Sequence, residues 1–451
     1  SVTVWWDKTE SARGYVIEKL NGDTWERVIT LKDGLLNTYT VTGLNPSTEY
    51  QFRIKRYITD GEKMLFGAYS EVCTATTSPK TPVNFAVSAK SSTYFTFKWD
   101  KDEKADGYEI QQYTNGKWTA VAKTYGNTYT VKNLKAGTAG YKFRLRAYIE
   151  GKDLDAYSNC SSVLTLNTNP YGVGGFKTKT VTSTNVTLQW NKGTTAEGYQ
   201  LQQYKDGKWV TIFTADKAET TSYTVKGLKA GTAGYRFRIR AYKTFGSTKQ
   251  YGSWSNELVV NTNPYGVGGF KTKTVTSTNV TLQWNKGTTA EGYQLQQYKS
   301  GSWVTVFTAD KAETTSYTVK GLNAGTAGYK FRIRAYKTYG STKQYGSWSN
   351  ELIVNTNPYG VGGFKTKTVT STNVTLQWNK GTTAEGYQLQ QYKSGSWVTI
   401  FTADKAATTT YTVKSLKADT SYKFRIRAYK TYGSTKQYGS WSSELTVRTK
   451  K

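Results

Sequence analysis

The chain has 451 residues, with 61 Lys+Arg against 31 Asp+Glu for a formal net charge of +30, and it contains no histidine. That absence removes the commonest general base and metal ligand, and two cysteines, Cys73 and Cys160, cannot make a metal cluster. No apolar run reaches the length of about 18 residues that a membrane-spanning helix needs.

The hydrophobic share is 37% and the aromatic share 15%, which suits several small sheet domains with aromatic cores. Charge is unevenly placed. Residues 1–168 hold 22 Lys+Arg and 18 Asp+Glu, whereas residues 169–451 hold 39 and 13, so the net charge moves from +4 to +26. The excess fits plain solubility or an anionic partner: wall polymer, acidic glycan, membrane surface or nucleic acid.

The chain opens inside a strand at Val2-Thr-Val-Trp-Trp6, which repeats as Val186–Trp190. Trp6, Trp99, Trp190, Trp284 and Trp378 recur at intervals of 93, 91, 94 and 94 residues. That period is too long for a stacking module, so each unit is a whole domain. Five domains are expected, at 1–78, 79–168, 169–262, 263–356 and 357–451. The third and fourth differ at only seven positions. In the first, the strand ahead of Val2 is missing from the chain as given.

Residues 169–262 show the expected strands in order. Phe176–Thr180 comes first, then Val186–Trp190 with Val186, Leu188 and Trp190 inward. Gly198–Tyr204 and Lys208–Phe213 flank an Asp206-Gly207 hairpin turn. Tyr223–Val225 follows. Tyr235–Lys243 then alternates strictly: Tyr235, Phe237, Ile239 and Ala241 face a core, while Arg236, Arg238, Arg240 and Tyr242 face water. An aromatic loop, Phe245–Tyr251, leads to a last strand from Trp254 to Val260. No helix of useful length is expected. Three of the joints read Asn-Thr-Asn-Pro-Tyr-Gly-Val-Gly-Gly-Phe, with Pro stiffening the exit and the glycines loosening the entry. Cys73 and Cys160 read as small, partly buried strand residues.

A Trp closing the second strand, Gly-Tyr opening the third, and Tyr-x-Val-x-x-Leu followed by a Tyr heading the sixth resemble fibronectin type III domains. The likeness is greatest to tandem repeats of secreted and surface proteins of Gram-positive bacteria. It implies an all-β chain: five tandem, seven-stranded, immunoglobulin-like β-sandwiches, the first lacking its first strand. The corner Leu44-Asn-Pro46-Ser-Thr48-Glu-Tyr50 follows the family pattern, as does Leu416–Tyr422. Leu134–Tyr141, Leu228–Tyr235 and Leu322–Tyr329 are one residue longer, so their corner tyrosines need a reshaped turn.

Chemistry is scarce. There is no phosphate loop and no nucleophile elbow, and Glu197, Glu291 and Glu385 read as solvated turn acids rather than a catalytic pair. No enzyme activity, cofactor or metal site is expected. The candidate ligand-binding face is the outward row with its flanking aromatics. In the third domain these are Arg236, Arg238, Arg240, Tyr242, Tyr251 and Trp254. In the fourth they are Arg332, Arg334, Tyr336, Tyr345 and Trp348, and in the fifth Arg425, Arg427, Tyr429, Tyr438 and Trp441. Trp254, Trp348 and Trp441 should lie over the arginines of their own domains, each pair worth about 0.5–2 kcal/mol. The phrase Tyr251-Gly-Ser-Trp254-Ser is similar to half of the Trp-Ser-x-Trp-Ser box of cytokine-receptor fibronectin domains. This row either covers the sheet or, with Gln200, Gln202 and Tyr204, holds sugars or anions. The loop 244–251 is a second candidate.

The leading expectation is a structural and adhesive stalk of a bacterial extracellular protein, secreted or at the cell surface. Its partner would be an anionic wall polymer, a glycan or another surface protein, with nucleic acid a distant second and self-association open. The rivals are an accessory region of a wall- or polysaccharide-degrading enzyme, and a repeat of a filament or virion fibre.

Overall fold

A computed structural model describes residues 1–151 and 155–451, and every regular element among them is a β-strand. The chain divides into two compact units. One is Ser1–Phe176 with Trp190–Thr221 and Phe237–Glu257; the other is Lys177–Gln189, Ser222–Arg236 and Leu258–Lys451. The fourth domain lies wholly in the second unit. Its smaller sheet joins Lys271–Val275, Val280–Gln283 and Ser316–Val319. Its larger sheet runs Ser302–Ala309, Gly292–Lys299, Tyr329–Tyr339 and Thr342–Tyr345, and Leu352–Val354 also pairs with Tyr329–Tyr339. All of these pairings are antiparallel.

The alternating pattern sets the core. Val280, Leu282 and Trp284 of one sheet meet Tyr293, Leu295, Phe331, Ile333 and Ala335 of the other. Each large side chain so buried contributes roughly 1.5–3 kcal/mol. The Trp284 and Tyr293 rings lie 5.6 Å apart. The Tyr293 hydroxyl accepts from the Gly287 N–H at 2.7 Å and donates to the Ala312 carbonyl at 3.0 Å, so its one polar atom is satisfied inside the core. The second and fifth domains have the same three- and five-stranded sheets, while the first has a two-stranded sheet, Val2–Trp5 with Thr38–Val41. In the third domain, Lys177–Val181, Val186–Gln189 and Ser222–Val225 form the smaller sheet in the second unit.

The hairpin turn at Asp206-Gly207 puts both residues in the left-handed region, at φ of 48° and 79°, as a two-residue type I′ turn requires. The corner tyrosines survive the longer loops. Tyr50 accepts from the N–H of Asn45, five residues back, whereas Tyr235 accepts from Lys229, six back, both at 2.9 Å.

Four expectations are corrected. The aromatic loop after Lys243 is a hairpin: Tyr235–Phe245 pairs with Thr248–Tyr251 around a turn containing Gly246 at φ 60°. The last strand is only Leu258–Val260, so a complete domain has eight paired segments rather than seven. The joint glycines permit close packing rather than loosening the entry. A Cβ on Gly172 would lie 2.7 Å from Ser253 Oγ, and one on Gly175 would lie 2.4 Å from Asn191 Oδ1. Finally, Cys73 is exposed on Cys73–Thr76, and Cys160 lies outside any strand; both are free.

Candidate binding face: an arginine ladder

Strand pairing brings the outward residues of three segments together. Gln202 stands opposite Arg238, and Gln200 opposite Arg240. The Gln202 Oε1 accepts from Arg238 Nε and Nη2 at 3.0 and 2.8 Å, and the Gln200 Oε1 accepts from Arg240 Nε at 2.8 Å. These bonds hold both guanidinium planes upright. Aromatic rings fill the spaces between them. Arg238 lies 4.3 Å from the Trp209 ring and 4.2 Å from Trp254, while Arg240 lies 4.3 Å from Trp254 and 3.7 Å from Tyr251. The order is Trp209, Arg238, Trp254, Arg240, Tyr251, each cation lying against two π-faces.

Trp254 reaches this place because it lies outside regular strand, between Thr248–Tyr251 and Leu258–Val260, which both pair with Tyr235–Phe245. The Ser255 N–H donates to the Ile239 carbonyl at 2.8 Å, and the Ser255 Oγ accepts from the Ile239 N–H at 3.1 Å. The serine thus satisfies both backbone groups of Ile239 while the preceding indole is wedged into the ladder. The fourth and fifth domains repeat the arrangement. Arg332 and Arg334 lie 4.2 and 4.3 Å from Trp348, and Arg425 and Arg427 each 4.3 Å from Trp441.

Burial lowers the basicity of Arg238 and Arg240, and likewise of Arg334 and Arg427; all four stay charged, since arginine does not deprotonate in proteins. Tyr242, Tyr336 and Tyr429, expected to face water, are 1% exposed. Burial raises the Tyr242 pKa, and its hydroxyl donates to Asp216 at 2.5 Å. Glu197 is a structural turn acid. It accepts from the Thr244 N–H and hydroxyl at 2.9 and 2.8 Å, and these bonds hold its pKa below the ordinary value. Arg236, Lys330 and Lys423 sit at the far end of the same strand and complete the row.

Trp209, Trp303 and Trp397 were not singled out in the sequence. A bulge hid them: pairing steps from Leu201↔Phe213 to Gln202↔Thr211. In the fourth domain Val306 and Phe307, adjacent in sequence, both pack on the core. The bulge reverses the alternation between them. Counting back by twos from Phe307 therefore puts Trp303 inside, where it is not.

The first two domains use the same frame with other residues. Arg53 lies 4.3 Å from Trp25 and 3.7 Å from Tyr69, and its Nε and Nη2 donate to Glu18 Oε2 at 2.9 and 2.7 Å. In the second domain Arg146 pairs with Glu109 at 2.8 Å and lies 3.6 Å from Tyr157. There Ser161 makes the bonds that Ser255 makes in the third domain, so Cys160 stands where Trp254 does.

Five segments of the chain, residues 1–72, 79–162, 171–258, 265–352 and 359–447, match the fibronectin type III domain family. The chain belongs to that family. Among curated proteins it is 27% identical over 383 residues to Exoglucanase B of Cellulomonas fimi, covering 80% of this chain and 32% of that protein. It is 26% identical over 457 residues to receptor-type tyrosine-protein phosphatase eta of Gallus gallus, covering 99% of this chain and 30% of the other. It is 28% identical over 197 residues to Chitinase A1 of Niallia circulans, covering 42% of this chain and 26% of that enzyme. The chain thus spans about a third or less of these relatives' length. Fibronectin type III domains are all that is matched here, and they are non-catalytic. Among the described residues no helix is long and apolar enough to cross a membrane, and no acidic, histidine or cysteine group could hold a metal ion.

Proposed function

We propose that this array is a non-catalytic accessory region of a bacterial extracellular protein that acts on polysaccharide, and that its third to fifth domains hold an anionic wall polymer or glycan. The observation that carries the reading is the change of partner along the ladder. Glu18 and Glu109 neutralise arginines in the first two domains. Gln202, Gln296 and Gln390 stand at the place of Glu18, and Gln200, Gln294 and Gln388 at that of Glu109, so these arginines are oriented by an amide instead of a carboxylate, as Arg144 of the second domain already is by Gln111. The likeness to an exoglucanase and a chitinase favours an accessory role over a free-standing adhesive stalk. Binding at each domain is weak, and it accumulates along the array through effective concentration.

The test is retention of the full chain on purified wall teichoic acid and on a neutral glucan, at low and high salt. Retention on the anionic polymer that falls steeply with salt is expected, because exposed charges are screened over roughly 8–10 Å near physiological ionic strength. The triple variant Gln202→Glu, Gln296→Glu and Gln390→Glu should lose most of that retention. Salt-indifferent retention, or a triple variant that binds like the parent, would sink the proposal.

A further inference from the structure

Three corner loops carry a glycine where the first and last domains do not. Gly137, Gly231 and Gly325 have φ of 60°, 58° and 60°. At the same place Ser47 and Asp419 have φ of 50° and 49°. The backbone conformation therefore tolerates a side chain there, and the left-handed turn alone does not account for the glycine. The next domain does account for it. A Cβ on Gly231 would lie 2.9 Å from Thr289 Cβ and 3.2 Å from the Thr289 carbonyl oxygen; one on Gly325 would lie 2.9 Å from Thr383 Cβ, and one on Gly137 3.1 Å from Thr195 Cβ. Glycine marks the corners against which a following domain is packed.

The contact is also bonded. Lys243, Lys337 and Lys430 donate from Nζ to the carbonyls of Gly137, Gly231 and Gly325 at 2.8, 2.7 and 2.7 Å. The N–H of each glycine donates back to the joint, to Asn169, Asn263 and Asn357, at 2.9 Å. The hydroxyls of Tyr339 and Tyr432, at the hairpin tips, donate to the Thr262 and Thr356 carbonyls of the preceding domain at 2.9 Å. The hairpins of the fourth and fifth domains that correspond to loop 244–251 are thus bonded to the preceding domain at their tips.

We propose that the glycine corner is a head-to-tail docking surface. Its partner is a fibronectin type III domain with threonine in the turn before its third strand and lysine after the buried tyrosine of its sixth. The joints 2/3, 3/4 and 4/5 carry both halves and are stiff. The 1/2 joint carries neither, with Ser47 at the glycine place and Ile149 at the lysine place, so the chain bends most there. This is independent of what the array binds.

The test is spin-label distance measurement on the full chain with Cys73→Ser and Cys160→Ser. Labels at Lys226→Cys and Lys320→Cys, both exposed, span the 3/4 joint. Labels at Thr42→Cys and Lys132→Cys, also exposed, span the 1/2 joint. The 3/4 distribution should be single and at least twofold narrower than the 1/2 distribution. Gly231→Val should broaden the 3/4 distribution at least twofold, and Lys337→Met should broaden it less. Gly234→Ala is the control. It lies in the same loop at φ 78°, with nothing within 4 Å of its would-be Cβ, and it should leave the width unchanged. If Gly231→Val prevents folding of the third domain, Lys337→Met combined with Tyr339→Phe carries the test from the fourth. A 3/4 width unmoved by these variants, equal broadening by Gly234→Ala, or equal parent widths at the two joints would overturn the proposal.

Discussion

In the first domain Arg53 meets the carboxylate of Glu18, whereas in the third the matching Arg238 meets the amide of Gln202. In the second, Arg146 meets Glu109, whereas in the third the matching Arg240 meets Gln200. The two regions orient their guanidinium groups equally well, because carboxylate and amide oxygens both accept from Nε. They differ in what happens to the charge. A carboxylate cancels it, while an amide leaves it on the sheet face. Aromatic packing follows the same division. The third to fifth domains insert a tryptophan between two arginines, while the second has Cys160 there and the first has Tyr69 beside Arg53 and Lys55. Orientation and charge are thus separately set: Glu18 on Arg53 and Glu109 on Arg146 give way to glutamines in the third domain, while Arg144 of the second domain already meets the amide of Gln111.

The largest effect should be one that does not distinguish the regions. Trp99→Ala and Trp284→Ala remove indoles that are 3% and 4% exposed, and each should destabilise its domain by about 3–5 kcal/mol. Loss of hydrogen-exchange protection in the affected domain of the full chain reads it. Clearly unequal costs would show that the cores differ as well as the faces.

Breaking the carboxylate pair comes next. Glu18 is 8% exposed, and Glu18→Ala strands Arg53 and Lys55 beside it, which should cost on the order of 1–3 kcal/mol. Gln202→Ala leaves an arginine that water and the two indoles still serve, and it should cost less. Equal losses in the two domains would remove the distinction between a neutralised ladder and an open one.

Acid should separate them too. Burial pushes the Glu18 carboxyl up, but hydrogen bonds from Arg53 and Tyr69 and the nearby charges of Lys55 and Arg53 outweigh it, so its pKa is lowered. The folded state then holds the proton less tightly than the unfolded chain. Stability from this group is complete above the unfolded value of about 4.3 and is lost as pH falls through the lowered folded value. Glu18→Gln should flatten that loss in the first domain, and Gln202→Glu should create one in the third. Glu197, lowered by its bonds to Thr244, gives the third domain an acid response of its own, so the comparison is between variant and parent. An unchanged acid profile in Glu18→Gln would contradict the pairing.

The smallest effect concerns stacking alone. Arg238→Lys keeps the charge but loses the flat plane between Trp209 and Trp254. A loss of about 0.5–1 kcal/mol is expected by denaturant unfolding, with a smaller loss for Arg144→Lys, which stacks on Trp118 alone among its neighbouring tryptophans.

Much of this was legible because period two is a strong signal. Phe237 and Ile239 are fully buried, as their alternation requires, and Trp254 lies over both arginines as its place after Tyr251 suggested. The gaps have physical causes. The bulge at Leu201/Gln202 reverses alternation and hid Trp209. Tyr242 lies on the outer face, yet Lys249 and Tyr251 cover its ring, and no pattern within one strand reports what a neighbouring hairpin covers. The glycine in Ala-Gly-Thr-Ala-Gly was visible as a departure, but its reason lay in the following domain, more than fifty residues away.

That last feature bears on how such an array can change length. Each of the second to fourth domains receives its successor, and each of the third to fifth is received, so the third and fourth contain both halves of a joint. Duplicating either one in the gene places the glycine, threonine and lysine of a joint at the new boundary. The seven differences between residues 169–262 and 263–356 spare Gly231, Thr195 and Lys243 and their counterparts, but they include Phe245, which lacks the hydroxyl that Tyr339 donates across its joint. Copy number can therefore drift by unequal recombination without any junction having to evolve anew, and the number of basic ladders rises or falls with it.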